Sequence, residues 1–393
     1  MPETRCADAA LTGADRTAGT AGAGDRRLAV HPVTRAVVRA GARSVPGGRG
    51  IGERARTRVP RLLAVLVAVP VLLAGCAGGS SDEVGGGGAD GSGGTVDLYA
   101  YAIPKPGYDE VIPKFNQTEV GEGVEVRQSY GASGDQSRKI ARGAPADVVS
   151  FSLEPDITRL VDAGLVDPDW NADATRGVPF GSVVALVVRS GNPKNIRTWD
   201  DLLRPDVEVV TPNPFSSGSA KWNLLAPYAV ASEGGRNPQA GVDYLNRMLA
   251  NVRVQPKSGR EATESFLQGT GDVLISYENE AIFAERHGDP VEHIVPEATF
   301  KIENPVAVLE HAPHPEKAIA FRDFLYTTEA QRAWAEAGFR PVDPGVAAEY
   351  TDVFPQPPTL YTVADLGGWE TVEAELFAPE SGTIAVAYDN ATE

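Results

Sequence analysis

Cysteine is almost absent from this sequence, since only Cys6 and Cys76 occur among 393 residues. Cys6 lies in a leader rich in Ala, Gly and Arg, so the chain beyond Cys76 cannot form an internal disulfide. Long apolar runs are equally scarce. The main one, residues 62–73, has twelve residues, which is too short to cross a bilayer but suits the apolar region of a signal peptide.

Basic residues are few once the leader is set aside. Residues 1–75 hold twelve arginines and five acidic residues, which leaves residues 76–393 with 24 basic and 48 acidic side chains, a formal net charge of −24. A surface of that sign does not attract the phosphates of nucleic acid. It also repels anionic lipid, so attachment to a membrane would need a covalent lipid rather than charge.

The sequence is poor in groups that hold metals or carry catalysis. Four histidines lie beyond the leader, at positions 287, 293, 311 and 314, all in proline-rich or polar contexts. We therefore expect no metal site and no cofactor. Residues 131–135, GASGD, resemble the nucleophile elbow of serine hydrolases, but Asp135 replaces its final glycine. An enzyme is therefore the weaker alternative.

A small-residue motif, Leu73-Ala74-Gly75-Cys76, follows the apolar run directly. It resembles the lipobox of bacterial lipoproteins, in which the cysteine receives diacylglycerol and becomes the new N-terminus. We predict lipidation of Cys76 and removal of residues 1–75. The Gly- and Ser-rich residues 76–94 would then be a flexible tether.

From residue 95 onward, short β-rich runs alternate with amphipathic helical patterns, which predicts an α/β fold with mostly parallel sheets. The 318 residues beyond the cleavage point suit two lobes of about 150 residues each. The predicted organisation is a leader and lipoprotein signal peptide (1–75), a tether (76–94), the first part of lobe 1 (95–180), lobe 2 (181–300), a return segment of lobe 1 (301–370) and an acidic tail (371–393), which we expect to be ordered in part at best.

The stretch 211–222, TPNPFSSGSAKW, combines a strand end, a turn and a helix start. Helix starts carry amides without intrahelical partners and partial positive charge, which favours anions. Small residues open two further helical patterns, GASGDQ (131–136) and SGRE (258–261), each with a serine three residues before Gln or Glu as in a capping box. Ordinary capping explains any one of them alone, whereas three together suggest convergence on one anion.

Four segments resemble the periplasmic sulfate/thiosulfate-binding proteins of ABC importers: residues 129–149, 191–229, 269–281 and 338–350. The resemblance extends over roughly residues 95–370. It implies a type II periplasmic-binding-protein fold, in which two α/β lobes, each a mostly parallel sheet flanked by helices, are joined by crossing hinge strands and close over one dehydrated oxyanion. It also implies a monomeric, lipid-anchored receptor on the extracytoplasmic face of the membrane that delivers sulfate or thiosulfate to importer permease subunits.

The sulfate-binding residues that this resemblance implies are Ser133, Ser217, Gly218, Ser219, Arg260 and Tyr277. Ser133 and Ser217 would donate their hydroxyls, Ser133 its amide as well, and Ser219 stands where the family has glycine. The amide of Arg260 is the nearest match to a family turn that is one residue longer. Tyr277 stands where the family has a tryptophan donor, which leaves the preference among sulfate, thiosulfate and molybdate open.

The chemistry of the residues agrees with an oxyanion. Sulfate carries no proton at neutral pH, so donors alone satisfy it, whereas the P–OH of hydrogen phosphate needs an acceptor, whose absence costs about 1–3 kcal/mol. A polyamine would require carboxylates and aromatic rings along the cleft, and ferric iron would require paired tyrosines. The small-residue helix starts favour sulfate, with molybdate as the alternative and these other cargoes behind it.

Overall fold

The computed structural model describes residues 94–392. The predicted leader, the lipidation site Cys76 and the tether as far as residue 93 lie outside this part of the chain. In the described part, no helix is long and apolar enough to span a membrane.

Twelve strands and twelve α-helices make up this part. The strands are β1 (Thr95–Tyr101), β2 (Glu125–Gly131), β3 (Val148–Ser150), β4 (Phe180–Arg189), β5 (Val209–Val210), β6 (Val252–Val254), β7 (Val273–Tyr277), β8 (Val291–Ile294), β9 (Ala298–Asn304), β10 (Val306–Val308), β11 (Arg340–Pro341) and β12 (Thr359–Tyr361). The helices are α1 (Lys105–Phe115), α2 (Ser133–Ala141), α3 (Glu154–Asp162), α4 (Gly218–Ala231), α5 (Pro238–Leu249), α6 (Gly259–Leu267), α7 (Glu278–Arg286), α8 (Pro315–Phe324), α9 (Thr328–Glu336), α10 (Pro344–Glu349), α11 (Gly368–Thr371) and α12 (Thr383–Thr392). Two 3₁₀ turns (Trp199–Leu203 and Val363–Leu366) and a π-helix (Val372–Phe377) complete the list.

The first lobe is built on a four-stranded sheet in the order β10-β3-β1-β2. β1 pairs in parallel with both β2 and β3, so the carboxyl ends of these three strands meet at one edge. The register opposes Tyr101 to Gly131, and Ala100 to both Tyr130 and Ser150. Residues that follow Gly131 and Ser150 are thereby brought to the edge where ligands of open α/β sheets bind.

The second lobe is built on a larger sheet in the order β12-β9-β4-β7-β5-β6, with β8 and β11 also paired to β4. β5 is parallel to β6 and β7, but β4 is antiparallel to all four of its neighbours. The expected two-lobe α/β architecture is confirmed, and both sheets are mixed. The first is mostly parallel, with β10 as its antiparallel strand, whereas the second is not, because β4 is antiparallel to its neighbours.

Three chain crossings join the lobes. One leads from the first lobe into β4, where Phe180 stacks on Trp334 with ring centroids 4.0 Å apart. The second is the short link from β9 to β10, at Pro305. The third leads from α9 into β11, which pairs with β4 of the second sheet. Two contacts fix the first crossing. One is the aromatic stacking, and the other is the hydrogen bond that Gln331 donates to the carbonyl of Pro179 at 2.7 Å.

The return to the first lobe is shorter than residues 301–370. β9 belongs to the second sheet as far as Asn304, and the first lobe then receives β10, α8 and α9. β12 pairs with β9, and the chain after it packs on the second lobe. The C-terminal third of the predicted return segment therefore belongs with the second sheet.

The acidic tail is ordered throughout the described residues, contrary to expectation. It forms the π-helix and α12, and α12 packs against α5. Leu376, Phe377, Ile384 and Tyr388 are buried there. The acidic composition concealed these regularly spaced apolar residues, whose burial removes apolar surface from water and stabilises the packed helices.

Candidate oxyanion-binding site

Three helices begin with small residues at the interface of the two lobes. α2 follows β2 in the first lobe, while α4 and α6 follow β5 and β6 in the second. Ser258 caps α6 by accepting from the amide of Glu261 at 3.2 Å, as its spacing predicted. The cap predicted for Ser133 is absent, since Ala132 is the N-cap of α2 and Gln136 donates instead to Ser129.

The three helix starts lie very close together. The distances from a Cβ atom placed on each of their glycines to the nearest neighbouring atoms show how little space there is. A Cβ on Gly218 would lie 2.8 Å from Ser152 Oγ of the other lobe. A Cβ on Gly134 would lie 3.2 Å from the carbonyl of Ser216, again across the cleft. A Cβ on Gly259 would lie 2.6 Å from Ser219 Oγ, which joins the starts of α4 and α6. At Gly218 and Gly259 any side chain would meet neighbouring side-chain atoms closer than 3.0 Å, so glycine is what permits this close approach.

Each start presents amides that lack an intrahelical acceptor. The first hydrogen bonds of α2, α4 and α6 are donated by Gln136, Ala220 and Glu261 or Ala262. The amides that precede them are those of Ser133, Gly134, Asp135, Gly218, Ser219, Gly259 and Arg260. Donors from both lobes and the positive ends of three helix dipoles therefore converge on one region.

Ser217 and Ser219 add a pair of hydroxyls to this region. Both residues are only 3% exposed, and their Oγ atoms are 2.7 Å apart in a hydrogen bond that either can donate. Ser217 is the N-cap of α4 but makes no capping bond with its side chain. The hydrogen bond between the two oxygens uses the proton of one hydroxyl. The proton of the other hydroxyl is therefore available for a hydrogen bond to a ligand.

The hydroxyl of Ser133 has another acceptor. It donates to Asp156 Oδ2 at 2.6 Å and accepts from the amide of Ser152 at 3.0 Å. A serine hydroxyl carries a single proton, so in this arrangement the Ser133 hydroxyl has no proton left for a ligand, and its amide is the remaining donor. Local sequence patterns do not predict this bond, because Asp156 lies 23 residues away, in the first turn of α3.

Ser152 is the residue that sequence reasoning missed. Its carbonyl accepts from Trp222 Nε1 at 2.9 Å and from Asn304 Nδ2 at 3.3 Å, and its Oγ lies 2.7 Å from the phenol of Tyr277. Trp222 and Tyr277 belong to the second lobe, so Ser152 holds the two lobes together. Its place just beyond the carboxyl end of β3 was the available signal.

Tyr277 is fully buried, 6.3 Å from the ring of Tyr101. Burial is the main cause that raises the pKa of both phenols, so both stay neutral donors. Ferric iron needs phenolates, and in residues 94–392 no cluster of three His, Cys, Asp or Glu side chains is placed to hold a metal. Two neutral phenols therefore lie side by side at this place, one from each lobe.

The charged groups beside the helix starts are paired. Arg260 Nη2 lies 2.7 Å from Glu280 Oε1 and reaches the carbonyl of Ile103 at 3.4 Å. Burial raises the pKa of Glu280, while Arg260 and a hydrogen bond from Thr263 oppose that rise. Because the guanidinium already faces a carboxylate, a ligand role for Arg260 would fall to its amide, which stays a prediction.

Comparison with known proteins identifies the family of this chain. A family model described as "Bacterial extracellular solute-binding protein" matches residues 96–340. The sulfate-binding protein of Synechococcus elongatus is 39% identical over 323 residues, which cover 80% of this chain and 91% of that protein. The thiosulfate-binding protein of Pseudomonas aeruginosa is 32% identical over 71% of this chain and 87% of its own length. This chain belongs to the family of extracellular sulfate- and thiosulfate-binding proteins.

Solved structures agree with that family and with the fold. The structure of the sulfate-binding protein SubI from Mycobacterium tuberculosis is 64% identical, covers 72% of this chain and 99% of that chain, and has a TM-score of 0.71. A periplasmic thiamin-binding protein is 16% identical with a TM-score of 0.60, a likeness that concerns the fold alone. Members of the sulfate- and thiosulfate-binding family therefore share a two-lobe fold with receptors for unrelated solutes.

Proposed function

We propose that this protein is a receptor that binds sulfate, or thiosulfate, between its two lobes and delivers it to an ABC importer. The observation that carries the proposal is the convergence of three helix starts and the Ser217–Ser219 hydroxyl pair at the lobe interface. The named functions of the relatives support the same ligand class.

The donor set suits a fully ionised tetrahedral anion. Amides donate and do not accept, and the nearby charges are already paired in Arg260–Glu280 and Arg159–Asp156. The anion would therefore be held by dipoles and charge-assisted hydrogen bonds of about 1.5–3 kcal/mol each. After desolvation and closure are subtracted, a total of about −8 kcal/mol, or micromolar affinity, is reasonable.

The cellular setting completes the proposal. The lipobox motif ending at Cys76 supports a lipid-anchored receptor on the extracytoplasmic face of the membrane, held there by the 76–94 tether. The protein would act as a monomer, with importer permease subunits as its protein partners. It would bind without catalysis, because the groups at the site are neutral donors and paired charges rather than an activated nucleophile.

Titration calorimetry of the unlipidated domain, begun at residue 95, tests the ligand. We expect sulfate to bind with micromolar or tighter affinity and hydrogen phosphate to bind at least about tenfold more weakly, since the amides at the helix starts cannot accept its proton. Thiosulfate and molybdate in the same series test the alternative created by Tyr277. Absence of heat with every tetrahedral oxyanion would contradict the proposal.

A further inference from the structure

Tyr101 lies beside the proposed site and was absent from the predicted ligand set. It ends β1, the strand between β2 and β3, and its register partner Gly131 lies two residues before Ser133. Two residues further on, Ile103 Cδ1 would be 2.6 Å from a Cβ on Gly259. The chain at Tyr101 is thus flanked by the starts of α2 and α6.

The phenol of Tyr101 is buried and has no hydrogen-bond partner. The residue is 3% exposed, and within residues 94–392 no group accepts from or donates to its Oη. The neighbouring phenol of Tyr277, in contrast, is bonded to Ser152 Oγ. Buried hydroxyls are nearly always paired in native proteins, and an unpaired one costs stability. A ligand at this position would supply the missing acceptor.

We propose that Tyr101 Oη donates a hydrogen bond to the bound oxyanion, as a ligand contact from the first lobe. This inference rests on the proposed function and extends it. It places one phenol from each lobe beside the helix starts, with rings 6.3 Å apart. Because burial raises the pKa of Tyr101, the phenol keeps its proton throughout the neutral range and always acts as a donor.

Glu280 is the competing acceptor near this phenol. Its carboxylate contacts Arg260 at 2.7 Å and accepts from Thr263 Oγ1 at 2.9 Å. A water between Tyr101 and Glu280 would satisfy the phenol without any ligand. The two arrangements differ in one observable, since only a direct contact makes anion affinity depend on the phenol.

The test compares Tyr101→Phe with Tyr108→Phe by titration calorimetry with sulfate. Tyr108 is a matched control, a fully buried phenol in the same lobe whose ring packs against Phe180, Phe321 and Trp334. We expect the dissociation constant to rise about tenfold in Tyr101→Phe and to stay within twofold of the parent value in Tyr108→Phe. Melting of ligand-free Tyr101→Phe should occur at or above the parent temperature.

Equal sulfate affinity in Tyr101→Phe and the parent would overturn the inference and leave the proposed function intact. Failure of the parent itself to bind sulfate, thiosulfate or molybdate would instead remove the proposed function and this inference with it. A second readout needs no variant, because a donating phenol changes its ultraviolet difference spectrum when the acceptor arrives. We expect sulfate to perturb tyrosine absorption in the parent and in Tyr108→Phe, and an unperturbed parent spectrum would contradict the direct contact.

Discussion

Gly218→Ala tests whether ligand binding requires the lobes to meet at the start of α4. A methyl group there would lie 2.7 Å from Ser152 Cβ, 2.8 Å from Ser152 Oγ and 2.9 Å from Leu153 Cγ, all in the first lobe. Ordinary contacts begin near 3.4 Å, so the lobes must separate by roughly 0.7 Å or more at this point. That shift would stretch the Ser152–Tyr277 bond from 2.7 Å and the Trp222–Ser152 bond from 2.9 Å beyond good geometry.

The expected cost falls on the closed, liganded form. Overpacking of this kind costs about 1–3 kcal/mol, which corresponds to a roughly fivefold to hundredfold rise in the dissociation constant. Ligand-free protein can open and escape the clash. Its stability should be unchanged or higher by up to about 1 kcal/mol, because alanine reduces the entropy of the unfolded chain.

Calorimetry with sulfate and small-angle scattering with and without sulfate measure the two effects. Gly345→Ala is the control, since Gly345 lies in the first turn of α10 and its nearest neighbour is the side-chain oxygen Asp343 Oδ1 at 3.1 Å. We expect that control to bind and compact like the parent. If Gly218→Ala also binds and compacts like the parent, the contact between α4 and Ser152 is not part of the liganded state.

Four further predictions concern the donors, the pH dependence of affinity, the pH dependence of stability and the anchor. Ser217→Ala should weaken sulfate binding by about 1.5–3 kcal/mol in calorimetry, and Ser219→Gly should weaken it less because the amide remains; the reverse order would assign the ligand to the Ser219 hydroxyl. Sulfate affinity should change by less than tenfold between about pH 5 and pH 8, since hydroxyls and amides do not ionise there. Burial raises the pKa of the Glu280 carboxyl. The folded protein therefore loses stability as pH rises from about 4.3, the pKa of an unfolded glutamate, through the raised pKa. In urea unfolding, Glu280→Gln should not show this loss of stability with rising pH. Cys76→Ala should abolish labelling with a fatty-acid probe. Labelling that persists in this variant would contradict lipidation at Cys76.

Local sequence chemistry predicted the helix starts but not every contact that they make. The spacing of Ser258 and Glu261 identified a real cap, and the small residues around Gly218 marked a real close approach. Such features depend on residues that are neighbours in the chain, for which turn and capping preferences hold. The strand-turn-helix order around each start was therefore readable before the fold was known.

Tertiary partners were beyond the reach of that reasoning. Asp156, on another helix, accepts a hydrogen bond from the Ser133 hydroxyl, and Ser152 contacts Tyr277, 125 residues further along the chain. These pairs exist only because parallel strands bring their carboxyl ends to one edge and the lobes then close on it. The same limit explains Tyr101, whose isolated phenol becomes informative only when its surroundings are known.

Anomalous diffraction from crystals of the domain grown with selenate, a heavier analogue of sulfate, would test the central claim most directly. The account predicts one strong peak between the lobes, with anion oxygens about 2.7–3.2 Å from the amides of Gly218 and Ser219 and from those of Ser133 or Gly134. A peak outside the convergence of α2, α4 and α6, or contact with donors of one lobe only, would contradict it.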